Sequence, residues 1–250
     1  MKKKGKIYFA SDFHLGLKGK SKPRDRELHV VKWLDSIKAD SSVIYLVGDV
    51  FDFWWEYKKV VPKGFTRFLG KVSELTDSGI EVHFFTGNHD MWIDDYLNAE
   101  CGMILHTGPQ DLEINGKLFH VAHGEGLGTD SRSYRILLWI FRNNFLRKLY
   151  SMLHPGFGIG LAHRWSLKSR LAKSYYKEYR GAENEELFRY ASHILKERPV
   201  DYFVFGHRHI LIDEAIGSGS RLFILGNWFN KPAYLEIDGE NVELKDFPYH

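Results

Sequence analysis

The chain has a single cysteine, Cys101, so it can hold neither an intramolecular disulfide nor a cysteine-built zinc finger, and it suits a reducing compartment. Only seven of its 250 residues are proline, and its 23 glycines follow no period, which excludes collagen-like and low-complexity readings. Long hydrophobic runs are also missing. After Lys2-Lys3-Lys4 come only four consecutive apolar residues, Ile7-Tyr8-Phe9-Ala10. That is too short for a secretory signal core, and the start reads as that of a mature cytosolic protein. Arg142 interrupts the longest apolar stretch, so no segment reaches transmembrane length. Acidic residues are scarce in one region. Between Leu127 and Arg180 there are eleven Lys and Arg against only Asp130 and Glu178. The net charge of the whole chain is +3, so the remainder is acidic. A basic segment on an acidic body needs a local anionic partner: lipid, a phosphate-bearing substrate or nucleic acid.

Hydrophobic residues make up 44% of the chain and charged ones 27%, enough apolar surface to offset chain entropy in a globular fold. The length fits one large domain, or one domain with a sizeable insertion. Short runs rich in Val, Ile, Phe and Tyr predict strands at Lys6–Ala10, Val43–Val47, Val82–Thr86, Leu118–Ala122, Tyr202–Phe205, Arg221–Leu225 and Ala233–Ile237. An alternating run, Asn241–Phe247, follows the turn Asp238-Gly239. Most of these runs are apolar throughout, as in strands covered on both faces. Helical spacing of apolar residues predicts helices over Arg26–Ile37, Thr66–Asp77 and Glu183–Glu197. The β-α-β-α-β opening and the later strand-rich half give an α/β fold of sheets flanked by helices.

Five of the predicted strands end in chemistry. They release Ser11-Asp12-Phe13-His14, Gly48-Asp49-Val50-Phe51-Asp52, Gly87-Asn88-His89-Asp90, His123-Gly124 and Gly206-His207-Arg208-His209. In open α/β sheets the ligand crevice lies beyond the carboxyl ends of the strands, so these groups can converge although they are far apart in the chain. Asp, His and Asn without Cys make a mixed nitrogen and oxygen donor set suited to Mn, Fe, Zn or a similar divalent ion. Asp12, His14, Asp49, Asn88, His123, His207 and His209 are enough donors for two cations if Asp49 bridges them. Such a pair lowers the pKa of water and neutralises charge on a phosphoryl oxygen under attack. The glycines before Asp49, Asn88 and His207 permit the tight turns that aim these side chains.

Together the five motifs, in this order and over residues 12 to 209, resemble the calcineurin-like metallophosphoesterases. That resemblance implies a four-layer α-β-β-α sandwich and a dinuclear metal site. It implies that Asp12, His14, Asp49 and His209 hold one cation and that Asp49, Asn88, His123 and His207 hold the other. Asp52 and Asp90 would orient those ligands. His89 matches the family histidine that contacts the scissile phosphate and can protonate the leaving group, which makes His89, Asn88 and Asp49 the catalytic candidates.

The motifs are evenly spaced except for the last interval, His123 to His207, which spans 84 residues and contains the basic segment. Its first part, Tyr134 to Leu153, is rich in Ile, Leu, Trp and Phe. Its second, His163 to Arg180, is a basic helix candidate, and Pro155-Gly156 and Gly158–Gly160 would separate the two as a helical hairpin. One domain over residues 1–250, with a helical lid at about 127–182, is therefore expected. A basic, greasy lid over a phosphate-cleaving centre suits an anionic substrate with apolar tails and peripheral attachment to an anionic membrane.

Within the family, the arrangement is most similar to the branch acting on UDP-2,3-diacylglucosamine in lipid A biosynthesis. This implies water attack on the α-phosphorus, giving UMP and 2,3-diacylglucosamine 1-phosphate. The implied setting is the cytoplasmic face of the inner membrane, with a nucleotide-linked lipid as substrate, no obligate protein partner, and Mn as the first-choice metal before Fe or Zn. The best-known members of that branch carry Arg where this chain has His89, and a His cannot clamp a diphosphate bidentately. Lid residues Arg170, Lys173 and Lys177, with Tyr134 and Ser174 as polar partners, are the candidates to compensate. Other metal-dependent phosphoesterases, acting on nucleotides, phosphoproteins or nucleic acid, are the alternative, and a scaffold without activity ranks last because no ligand is missing. Histidines outside the motifs, the pair Trp54-Trp55 and the turn Asn227-Trp228 are read as packing or surface features.

Overall fold

The structure is a computed structural model that describes residues 5–18, 22–129, 131–161, 179 and 181–249. Among these residues the chain forms a mixed six-stranded sheet and a mixed five-stranded sheet. The first contains β1 (Lys6–Ala10), β2 (Ser41–Val47), β3 (Glu81–Phe85), β4 (Ile104–His106), β10 (Ala233–Asp238) and β11 (Asn241–Asp246), in the order β11-β10-β1-β2-β3-β4. The second contains β5 (Gln110–Ile114), β6 (Lys117–Ala122), β7 (Tyr202–Phe205), β8 (Leu211–Ile216) and β9 (Ser220–Leu225), in the order β5-β6-β7-β9-β8.

Alternation along each strand explains the layering. In β1, Phe9 points between the sheets, while Tyr8 and Ala10 point toward the helices α1 (Pro23–Ile37) and α2 (Thr66–Asp77). Tyr45 and Val47 of β2 face inward, and Ile44 and Leu46 face outward. On the second sheet, Val204, Phe223 and Leu225 meet the same inter-sheet core. Phe203, Phe205, Leu222 and Ile224 pack instead on α6 (Glu186–Glu197) through Leu187, Phe188, Ala191 and Ile194. These are the four layers of the expected α-β-β-α sandwich. Each buried Val, Leu, Ile or Phe contributes roughly 1.5–3 kcal/mol, and two-sided burial is why the central strands read as apolar throughout. Strands β1-β2-β3 run parallel, as do β6-β7-β9. Each parallel set therefore opens its carboxyl ends at one edge of its sheet.

Three strands and one helix escape the apolar-run criterion. β4 has three residues, and β5 and β8 are edge strands with charged outward positions, as in Gln110-Asp111-Leu112-Glu113-Ile114. Edges carry charge because a bare apolar edge would pair with another chain. The short α3 (Tyr96–Cys101) buries only Leu97 and Cys101.

The insertion between β6 and α6 differs from expectation. Its first part is two helices, α4 (Arg132–Arg142) and α5 (Asn144–Ser151). Asn143 stops the first and caps the second, accepting hydrogen bonds from the Phe145 and Leu146 amides through Oδ1 at 3.0 and 3.1 Å. The Pro155-Gly156 and Gly158–Gly160 stretch, expected as a break, lies in a helical run at residues 155–161, whose first position suits proline. Most of the expected second helix, His163 to Arg180, lies outside the described residues. No helix among the described residues is long and apolar enough to cross a membrane.

Candidate metal centre

The loops after β1 and β2 are zipped together before any side chain is considered. The amides of Asp12, His14 and Leu15 donate to the carbonyls of Gly48, Asp49 and Val50 at 3.0, 2.9 and 2.8 Å. The loop after β9 joins them, with the Trp228 amide donating to the Asp12 carbonyl at 3.1 Å and Asn227 Nδ2 to the His209 carbonyl at 2.8 Å. This bonding holds an unusual backbone. Seven described non-glycine residues have positive φ, between 45° and 65°, and five of them are Asp12, His14, Asp49, His207 and His209. Each such residue stores about 1–3 kcal/mol of strain, which persists only where surrounding contacts over-determine it and which gathers at functional sites.

These loops bring the expected ligands together. Donor atoms of Asp12, His14, Asp49 and His209 lie within 4.8 Å of one another, and so do those of Asp49, His123 and His207. Asp49 belongs to both groups, as a bridging carboxylate must. His14 and His209 face each other through Nε2 at 3.1 Å, His123 Nε2 lies 3.3 Å from Asp49 Oδ2, and His14 Nε2 lies 3.6 Å from the same oxygen. His123 Nδ1–H donates to the Val47 carbonyl at 2.9 Å, which fixes the tautomer and turns the Nε2 lone pair inward. Asn88 Oδ1, His123 Nε2 and Asp12 Oδ1 are buried without a hydrogen-bond partner. His209 Nε2 lies 3.0 Å from Asp12 Oδ1, but the contact lacks hydrogen-bond alignment. Buried orphan acceptors are rare. Three of them on three expected ligands, in an all-nitrogen and oxygen donor set, fit divalent cations.

The electrostatics follow from burial among opposite charges. Burial pushes the Asp12 carboxyl up, but the imidazoles of His14 and His209 outweigh it and hold the group well below the usual carboxylate range. Asp49 is depressed in the same way, with His123 and His89 opposing its burial. His123 is raised well above an ordinary imidazole because the Asp49 carboxylate overcomes its burial. Burial dominates at His209, which is lowered. The two carboxylates are thus held ionised by the imidazoles around them, while burial favours the neutral, metal-binding form of His209.

Asp90 and Asp52 sit behind the ligands. Asp90 accepts from the Gly87 amide at 2.7 Å and the Phe51 amide at 3.2 Å, tying the third motif to the second. Burial, followed by the charge of Asp49, pushes Asp90 up to about 7. Asp52 Oδ1 lies 3.6 Å from His14 Nδ1, and its carbonyl accepts from His89 Nδ1–H at 2.8 Å. His89 Nε2 therefore turns toward the ligands, 4.0 Å from Asp49 Oδ2. Two of the motif glycines serve a purpose other than the expected one. Gly48 has φ of +80°, but Gly87 and Gly206 have no such conformation and instead make room for carboxylates. A Cβ at Gly206 would stand 2.6 Å from Asp12 Oδ2, and one at Gly87 would collide with Asp49 Oδ1.

Two supporting residues went unread in the sequence. Arg26 of α1 is buried and donates through Nη1 to the His14 carbonyl at 2.8 Å. Phe229 packs edge-on against the His14 and His209 rings, with centroids 5.7 and 5.3 Å away. Phe229 lies in the turn after β9, where the rule about strand ends could have found it. Tyr134 lies on α4, and burial, followed by the charges of Glu125 and Asp49, pushes its hydroxyl up. Arg170, Lys173, Ser174 and Lys177 lie outside the described residues. Trp54 is core, while Trp55 beds the insertion, its ring 4.2 Å from that of Tyr150 on α5.

A sandwich of two mixed sheets whose strand ends gather His, Asp and Asn defines a metal-dependent hydrolase. The chain belongs to the calcineurin-like phosphoesterases, whose family profile matches residues 5–211. It is 43% identical over 255 residues to the UDP-2,3-diacylglucosamine hydrolase of Porphyromonas gingivalis, a match covering 97% of each chain. It is 28% identical to the protein of the same name from Neisseria meningitidis serogroup B, over 94% of this chain and 95% of that one. With its namesake in Shewanella pealeana the identity is 24%, over 96% and 98%.

Proposed function

We propose that the chain hydrolyses the diphosphate of UDP-2,3-diacylglucosamine at a dinuclear centre. The observation that carries this reading is the 43% identity, over 97% of both chains, to a relative named for that substrate. Asp12, His14, Asp49 and His209 would hold one cation, and Asp49, Asn88, His123 and His207 the other. Bound there, two divalent cations, Mn first and Fe or Zn next, would supply Lewis acidity that generates a nucleophile from water and neutralises phosphoryl charge. Water attacks the α-phosphorus, and the bond from that phosphorus to the bridging oxygen breaks. The products are UMP and 2,3-diacylglucosamine 1-phosphate.

The chain's own residues set up that displacement. Asp12 is fixed for it by Ser11 Oγ and the His207 amide, which donate to Oδ2 at 2.7 and 3.0 Å and leave Oδ1 for a cation. His89, oriented by the Asp52 carbonyl, contacts the scissile phosphate and as the imidazolium gives its Nε2 proton to the leaving phosphate. The insertion, residues 127–182 of a single domain, acts as a lid. Its helices α4 and α5 expose Ile136, Trp139, Phe145 and Leu149 among Arg132, Arg135, Arg147 and Lys148. That pattern suits acyl chains and peripheral attachment to the cytoplasmic face of the inner membrane. Tyr134, Arg170, Lys173, Ser174 and Lys177 are its candidate contacts to the polar part of the substrate. Incubation of the Mn-loaded protein with UDP-2,3-diacylglucosamine should release UMP, and no release with metal verified as bound rejects the reading.

A further inference from the structure

A cleft of about 490 Å³ opens beside the metal centre. Leu15 and Phe53 line it, and they directly follow His14 and Asp52 in the chain. Gly156 and Ile159 of the insertion lie across it, and Phe65 closes the side next to α2. Its volume falls in the range of pockets that hold small ligands. Its walls are mostly apolar, with charged side chains set among them. Arg24, Lys63 and Arg67 are exposed at the cleft and make no ion pair among the described residues. Glu27, nine-tenths buried, also lines it and commits Oε1 to the Arg67 and Phe68 amides at 3.0 and 3.3 Å.

An acyl chain would match the apolar walls but leave the three basic groups unanswered, which costs free energy wherever the chain displaces water from them. A pyrimidine nucleoside answers them. Its ring stacks on an aromatic or guanidinium face, its carbonyl oxygens accept from Arg or Lys, and its ring N–H donates to a carboxylate. The apolar face needed by the acyl chains is present elsewhere, on α4 and α5. We propose that the cleft between Arg24, Arg67 and residues 156–159 is the subsite for the uridine half of the substrate, so that the two ends of the molecule leave the metal centre in different directions. The assignment rests on the substrate reading given above and adds where the base is recognised.

Titration calorimetry of the Mn-loaded protein with UMP and with ribose 5-phosphate isolates the base, because the two probes carry the same phosphate. The subsite predicts UMP binding about tenfold tighter than ribose 5-phosphate, a difference of about 1.4 kcal/mol. In the double variant Arg24→Glu, Arg67→Glu that preference should shrink to within about twofold. Both residues are exposed, so the variant keeps its core. Equal binding of the two probes by the wild type, or an unchanged preference in the variant, overturns the subsite. If the wild type releases UMP from UDP-2,3-diacylglucosamine yet binds the probes alike, only the subsite falls. If it releases none, the substrate reading falls and the subsite with it.

Discussion

Asp12, His14, Asp49 and His123 are at most 3% exposed, whereas α4 and α5 bury no residue and leave Trp139 at 64%, Phe145 at 74% and Leu149 at 55%. The strand-end loops are held by backbone hydrogen bonds from three directions and store strain in five of the expected metal ligands. The insertion rests on an aromatic bed of Phe53, Trp55, Tyr57 and Trp92, fastened by Trp92 Nε1 donating to the Phe141 carbonyl at 3.1 Å. Chemistry on phosphorus tolerates little misplacement, so rigidity and strain are spent there. Recognition of acyl chains, on the substrate proposed above, would need area more than geometry, and an amphipathic surface provides it.

Breaking the rigid half should have the largest effect. Asp49→Ala removes the carboxylate common to both ligand groups, and hydrolysis of a chromogenic phosphodiester should fall by on the order of 10³-fold or more, together with bound metal. His89→Ala should lower the rate roughly 10²–10⁴-fold while elemental analysis finds metal content unchanged. An emptied site in that variant would make His89 a ligand and contradict its assignment. Asp52→Asn, which weakens the support of His14, should cost about 10–100-fold in metal affinity or rate. Gly206→Ala pushes a methyl group at Asp12 Oδ2 and should destabilise by about 1–3 kcal/mol in chemical denaturation, with metal loss ahead of unfolding. The insertion should respond differently. A triple change of Ile136, Trp139 and Phe145 to Ser should alter folding stability by no more than about 0.5 kcal/mol per site. It should nevertheless abolish flotation with anionic vesicles. Equal damage to small-ester hydrolysis and to vesicle binding would erase the distinction between the two halves.

The rigid half was the more legible part of the sequence for the same reason that it is rigid. Strands buried on both faces must be apolar throughout, and the abrupt change to Gly-Asp-x-x-Asp or Gly-Asn-His-Asp marks where each one ends. β1 and β7 lie where the runs predicted them, and all seven expected ligands are on strand-end loops. Edge strands such as β8 were hidden because their charged outer positions dilute the apolar run. The left-handed backbone at Asp12, His14 and His209 could not be read either, since nothing in a side chain's identity reports the φ that its neighbours impose. In the insertion, Arg142-Asn143-Asn144 looks in sequence like a polar patch on one continuous amphipathic helix. Only the side-chain bonds of Asn143 to two amides reveal a helix boundary. Arg26 reads as a surface charge on α1 until the loop carbonyl it serves is in place.

Elemental analysis of the purified, dialysed protein tests the central claim most directly, because two cations and one shared carboxylate make a stoichiometric demand. Two equivalents of divalent metal per wild-type chain, falling to near zero in Asp49→Ala, is the predicted result. Fewer than one equivalent in the wild type, or full retention in Asp49→Ala, would contradict it.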